Sequence, residues 1–183
     1  MIKKFFYTLL ILIIGSVAYL NYFGVTTDKF NQNIKKKIKE NYPGVSLKLN
    51  DVKILLNISR LSIDLETKHP IILSGNEKIK LEKVSSTYDL KSFFKREFAV
   101  KNLLINTEKN NIKKFIKLAR SYKDSAQLLI LDKIIKSGNV QIFLKLNFDE
   151  NGNLVENDYK IAADINNLSI ALFNKQKVEK ISG

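Results

Sequence analysis

The sequence predicts a strand-rich α+β protein, with one apolar N-terminal transmembrane helix followed by an antiparallel sheet and one or two covering helices. Three observations predict this. Residues 5–27 carry no charge. From Val45 onward apolar residues recur at every second position, the period of a strand with one apolar and one wet face. Turn-forming clusters such as Ser74-Gly75-Asn76 and Asp149-Glu150-Asn151-Gly152-Asn153 punctuate that alternation. With 183 residues, 27% charged and 45% hydrophobic, the chain has enough length and apolar content for one domain beyond the helix.

The helix is read over residues 5–23, FFYTLLILIIGSVAYLNYF. Nineteen helical residues rise about 28 Å, close to the thickness of a bilayer's hydrocarbon core. Tyr19, Tyr22 and Phe23 suit the far headgroup layer, and Lys3 and Lys4 before the run favour a cytoplasmic N-terminus. Lys29, Lys35, Lys36, Lys37 and Lys39 follow it, so charge counting alone does not orient the helix, but a large following domain translocates largely regardless of charge. Ser16-Val17-Ala18 has the small-residue spacing of a signal-peptidase site, but the apolar run continues past it and favours an uncleaved anchor. Either version exports the remainder of the chain.

Residues 28–41 form a short helical pattern, with Phe30, Ile34 and Ile38 on one face, Thr27 or Asp28 as cap, and Pro43-Gly44 as stop. Lys35, Lys36, Lys37 and Lys39 lie mostly on the other faces. Such a helix either lies on anionic headgroups or packs its stripe on the domain.

Strands follow. Val45, Leu47 and Leu49 alternate, then Ile54, Leu56 and Ile58, then Leu61, Ile63 and Leu65. Past Pro70 come residues 71–73, the Ser74-Gly75-Asn76 turn, and Ile79, Leu81 and Val84. Residues 98–105 make a further strand, joined to the one before through 91–97. Ile112, Phe115, Ile116, Ala119 and Tyr122 fit a helix that starts near Asn110 or Asn111; residues 127–135 read equally as strand or helix. Ser137-Gly138-Asn139 is expected to turn the chain into the strand carrying Val140, Ile142, Leu144, Leu146 and Phe148. Tyr159, Ile161, Ala163 and Ile165 return, and Leu168, Ile170 and Leu172 form another strand. The resulting organisation is an anchor over 1–24, an amphipathic juxtamembrane helix over 25–44, and a β-rich domain over 45–183.

No constellation for enzymatic chemistry emerges. The chain has no cysteine and one histidine, His69, so thiol catalysis and multi-histidine metal sites are excluded. Seven scattered glycines make no phosphate loop. No cofactor is implied. The net charge of +13 is nearly all lysine, and lysine, isoleucine and asparagine are abundant together, as AT-rich coding produces. With arginine only at Arg60, Arg96 and Arg120, and no aromatics among Lys35, Lys36, Lys37 and Lys39, nucleic-acid binding is not expected.

The order of features resembles the N-terminal portion of the AsmA-like family, whose groove-forming members are related to chorein-type bridge proteins. The likeness is clearest over 70–104, PIILSGNEKIKLEKVSSTYDLKSFFKREFAVKNLLI, a strand, polar turn, strand, aromatic pair with charge (Phe93-Phe94-Lys95-Arg96-Glu97) and further strand. Asn111-Ile112 stands where that family's helix begins, and Ile134-Ile135-Lys136-Ser137-Gly138-Asn139-Val140 resembles its recurrent strand start. Family members are much longer, so the chain is expected to be a fragment or a truncated relative.

The resemblance implies a sheet curled into a groove whose apolar face holds acyl chains. It also implies a single-pass protein of the inner membrane, with its domain in the periplasm, that takes part in phospholipid transport or outer-membrane maintenance. The lining residues would be Leu47, Leu49, Ile54, Leu56, Leu61, Ile63, Ile79, Leu81, Val140, Ile142 and Leu144, with headgroups at Lys35, Lys36, Lys37 and Lys39. The partners would be membrane phospholipid and an envelope protein. Alternation alone is more commonly explained by a sealed core, which would make the chain an anchored scaffold for a protein partner, and it is the resemblance that brings the groove level with it.

Overall fold

A computed structural model describes residues 2–90, 100–171 and 177–181. The uncharged stretch is one helix, α1 (Ile2–Tyr22). Its segment Lys3–Tyr22 is long and apolar enough to cross a membrane, and none of its most apolar window is buried against the rest of the chain. Gly24 ends it at φ +70°, where a Cβ would stand 2.4 Å from the Ile54 carbonyl oxygen. Only glycine fits there.

The chain then forms an edge strand, β1 (Val25–Thr27), which pairs with β3 (Val52–Asn57). The expected helix over 25–44 is therefore shorter than the sequence suggests. It is α2 (Asn31–Asn41), preceded by Phe30 without a side-chain cap. Thr27 instead accepts a hydrogen bond from the Lys29 nitrogen at 3.2 Å, which shapes the loop ahead of the helix.

Beyond α2 lie β2 (Val45–Lys48), β4 (Ser62–Lys68), β5 (Ile71–Ser74), β6 (Glu77–Asp89), β7 (Val100–Thr107) and the two-residue β8 (Asn110–Asn111). Two helices follow, α3 (Ile112–Tyr122) and α4 (Ala126–Ile134), then β9 (Ile135–Phe148), β10 (Leu154–Ala171) and β11 (Lys177–Ile181). The ambiguous stretch 127–135 is thus helical up to Ile134. Every pairing is antiparallel, and the sheet runs β1-β3-β4-β6-β7-β9-β10-β11, with β1 and β11 as open edges among the described residues.

One line across the sheet organises the rest. The β4–β5 segment pairs along the whole of β6, interrupted only at His69-Pro70. His69 there has φ +51°, and its nitrogen donates to the Glu82 carbonyl at 2.9 Å. Opposite, the β6–β7 register slips between Leu81 and Lys83, a bulge at Glu82. The same line passes Asn50-Asp51 between β2 and β3, Gly138 in β9, and Asn167 in β10, where φ is +55° and the β9–β10 register shifts. Each interruption reverses which residues point to which face. Buried apolar residues gather along it: Leu49, Val52, Pro70, Ile79, Leu81 and Val140.

Three expectations change here. Ser137-Gly138-Asn139 is no turn but part of β9; Gly138 is glycine because a Cβ would meet the Leu168 Cα at 3.2 Å. The two expected strands after the last hairpin are one bulged strand, β10. Ile58 and Leu61 belong to the turn 58–61 rather than to strands, and Leu61 has φ +48°. The Phe93-Phe94-Lys95-Arg96-Glu97 segment, Phe98 and Leu172 lie outside the described residues.

Candidate functional site

Residues directly opposite on paired strands share a face. Ile54 faces Leu65, and Leu56 faces Ile63. Ile63 faces Tyr88, and Leu65 faces Ser86. Beyond β6, Val84 faces Ile105 and Ser86 faces Leu103. Leu103 then opposes Leu146, Ile105 opposes Leu144, and Leu144 opposes Ile161. One apolar face therefore runs from β3 to β10. The other face carries Asp64, Glu66, Lys83, Ser85, Thr87, Asn102, Lys145 and Asn147, with Leu55, Leu104 and Phe143 as apolar exceptions. The wet face is tied together by Lys83–Glu66 at 2.6 Å and by Thr87 Oγ1, which donates to Asp64 Oδ1 at 2.7 Å.

The apolar face is not sealed. Above the corner its residues are half-buried, and at the far side Tyr159 and Ile161 are 55% and 63% exposed. A compact monomer of this mass exposes about 9,000 Å². This chain exposes 13549 Å², because α1 stands free and the apolar sheet face is only partly covered.

Among the described residues, cover comes from α2 over β2 and from α3 and α4 over β6 and β9. α2 lays Ile34, Ile38 and Tyr42 over the sheet and leaves a trough of about 430 Å³ beneath them. Its walls are Val45, Leu47 and Leu49, then Val52, Leu65 and Ile72, then Leu81, Val84, Tyr88, Leu103 and Ile105. Thr67, Ser86 and Glu66 are the polar residues among them. From Leu81 to Tyr88 the floor is about 20 Å long at strand rise. One leaflet's hydrocarbon is about 15 Å deep, so the trough has the length of a lipid tail. At one end Tyr42 meets Tyr122 of α3 edge-on, with ring centroids 5.6 Å apart. Burial of the phenol and the nearby Tyr42 raise the Tyr122 pKa above the ordinary value.

The expected lining residues fall into four places. Leu47, Leu49 and Leu81 line the trough. Ile54, Leu56, Ile63, Ile142 and Leu144 share its face by register but flank it. Ile79 and Val140 are 1% and 3% exposed, packed at the corner and not among the trough's walls. Leu61 stands in the turn 58–61, half-exposed and outside the trough. Sequence reading missed Ile72, Val84, Tyr88, Leu103 and Ile105 as walls, although their alternation was visible, because the reversals at His69-Pro70 and Glu82 decide their face.

The lysines stand outside the trough. The amphipathic stripe of α2 packs on the domain, and Lys35, Lys36, Lys37 and Lys39 are exposed on its outside. Asn31 Nδ2 donates to the Asn50 carbonyl at 2.9 Å, so α2 starts at the corner. Among the described residues no three His, Asp or Glu side chains converge as metal ligands. Comparison with protein-family models, curated proteins and solved structures finds no match.

Proposed function

We propose that the chain is a membrane-anchored lipid-handling protein of the kind its AsmA-like order of features implies, with α1 in an inner membrane and the sheet in the periplasm. In this reading the trough holds acyl chains of phospholipid and contributes to their movement or to outer-membrane upkeep. The observation that carries it is the unsealed apolar face, which deepens under α2 into a tail-length trough lined almost wholly by Leu, Ile, Val and Tyr. No residue performs chemistry. Tails lie along the apolar floor and avoid an exposure cost of about 0.8 kcal/mol per CH₂, while headgroups stay in water at the open side. Lys3 and Lys4, in the first turn of α1 ahead of its uncharged run, support an N-terminus on the cytoplasmic side.

The test uses neighbours on opposite faces. Leu103 lines the trough, whereas Leu104 opposes Ser85 and Lys145 on the wet face. A photo-crosslinking residue at position 103 of the full chain is expected to capture phospholipid in cells, and the same group at 104 is not. Capture of a protein at 103, without lipid, would replace this reading by that of an anchored scaffold.

A further inference from the structure

The register fixes which end of the sheet meets α1. Val25 pairs with Ile54, and α1 runs back from there alongside the extension of β3. Asn21, in the last turn of α1, accepts a hydrogen bond through Oδ1 from the Ile58 nitrogen at 3.1 Å. The turn 58–61 therefore stands at the depth of Asn21. The 20 residues of the apolar segment rise about 30 Å, which matches a hydrocarbon core of about 30 Å. Asn21 is then at the outer edge of that core, and so is the turn.

The turn has the composition such a position requires. Ile58 and Leu61 are 45% and 50% exposed, and Arg60 between them is exposed. Single exposed apolar residues are ordinary on a water-facing surface. Here two occupy one four-residue turn, level with Tyr22 and Phe23, which are 77% and 67% exposed at the end of α1. The turn is also held in shape: Asn57 Oδ1 accepts from the Arg60 nitrogen at 3.0 Å, and the Leu61 nitrogen donates to the Ile58 carbonyl at 3.2 Å. The tip of the β9–β10 hairpin points to the same end but carries Asp149 and Glu150, unsuited to anionic headgroups.

We infer that the turn 58–61 is a second membrane contact, seated in the boundary between headgroups and acyl chains of the bilayer that α1 spans. Ile58 and Leu61 enter the outer acyl layer and Arg60 meets lipid phosphate, the pairing that suits a guanidinium. With α1 on one side and the turn on the other, the domain has two points of attachment, and the Tyr88–Leu103 end of the trough faces the bilayer rather than open water. This rests on the anchored reading of α1 and is independent of whether the trough holds lipid.

The chain has no tryptophan, so single replacements report their own depth. The full chain is reconstituted in vesicles of phosphatidylcholine and phosphatidylglycerol brominated at shallow or deep acyl positions. Leu12→Trp marks the bilayer interior, and Asn76→Trp, in the distant β5–β6 turn, marks water. Ile58→Trp and Ser59→Trp are expected to emit to the blue of Asn76→Trp and to lose most emission to shallow bromines. If both instead match Asn76→Trp, quenched only by aqueous acrylamide, while Leu12→Trp stays deep, the seat is refuted and the anchor stands. If Leu12→Trp is also open to acrylamide, the anchored reading and the seat fall together.

Discussion

Leu81 and Val84 are three residues apart on one strand, yet both point into the trough. Strict alternation forbids this, and the bulge at Glu82 permits it. Leu81 belongs to the phase of Ile79, and Val84 to that of Ser86 and Tyr88. The same reversal recurs on neighbouring strands, so the apolar face continues around the corner instead of passing to the wet side. A strand without its reversal would present lysine and glutamate to the trough.

Deleting Glu82 is therefore expected to be far more harmful than replacing it. Its side chain is exposed, with a 3.4 Å contact from Gln141 as its hydrogen bond, and Glu82→Ala is expected to change stability by at most about 0.5 kcal/mol. The deletion forces one half of β6 to turn its faces over. Urea unfolding of the two variants checks this, with loss of the cooperative transition expected for the deletion alone.

The reversals explain what was legible in the sequence. Alternation was plain within each run, and the change of phase from Leu47 and Leu49 to Ile54 and Leu56 is visible once its meaning is known. Without the pairing it reads as an end of one strand and the start of another, because Asn, Asp, His-Pro and Gly mark turns as readily as bulges. Gly138 reads as a turn for this reason; its requirement is the backbone of Leu168, far away in sequence. α1 and α3 were legible from composition and period. β1 was not, since three residues, Val-Thr-Thr, carry no periodic signal and are a strand only because β3 offers them an edge.

Asn110 serves as a piece of strand made from a side chain. Its Oδ1 accepts from the Lys80 nitrogen at 2.9 Å, and its Nδ2 donates to the Lys80 carbonyl at 2.8 Å and the Glu108 carbonyl at 2.7 Å, at a residue 4% exposed. Asn110→Ala strands these backbone groups at a cost of about 1–3 kcal/mol for each that finds no water. A lowered urea midpoint, with faster hydrogen exchange at the Lys80 amide, is the expected result.

The β9–β10 hairpin should carry a local acid transition. Hydrogen bonds from the Asn153 backbone, then its side chain and the Asn151 and Gly152 nitrogens, hold the Asp149 carboxyl below the usual aspartate range. Its folded pKa is depressed, so its stabilisation is complete above the ordinary value of about 3.9 and is lost as pH falls through the lower folded value. Exchange at the Asn153 amide is expected to accelerate over that window, and Asp149→Ala to abolish the pH dependence.

Stability and ligand capture should separate between the corner and the trough. Ile79 is 1% exposed at the corner and is no part of the trough wall, and Ile79→Ala is expected to cost about 2–5 kcal/mol, as buried isoleucine truncations do. Leu103 is half-buried on the trough wall, with one side open to the cavity. Truncating it removes less packing and leaves no enclosed void, so Leu103→Ala is expected to cost about 1 kcal/mol. Leu103→Asp adds a charge that water can still reach, which permits folding but repels a hydrocarbon tail. Both Leu103 variants are expected to unfold cooperatively in urea, and Leu103→Asp to lose lipid crosslinking from a probe at the wall residue Leu65, which lies across Ser86 from it. Retained crosslinking at Leu65 would mean that the tail touches β4 without lying over Leu103, and it would then have to run along the Leu47 and Leu49 wall instead.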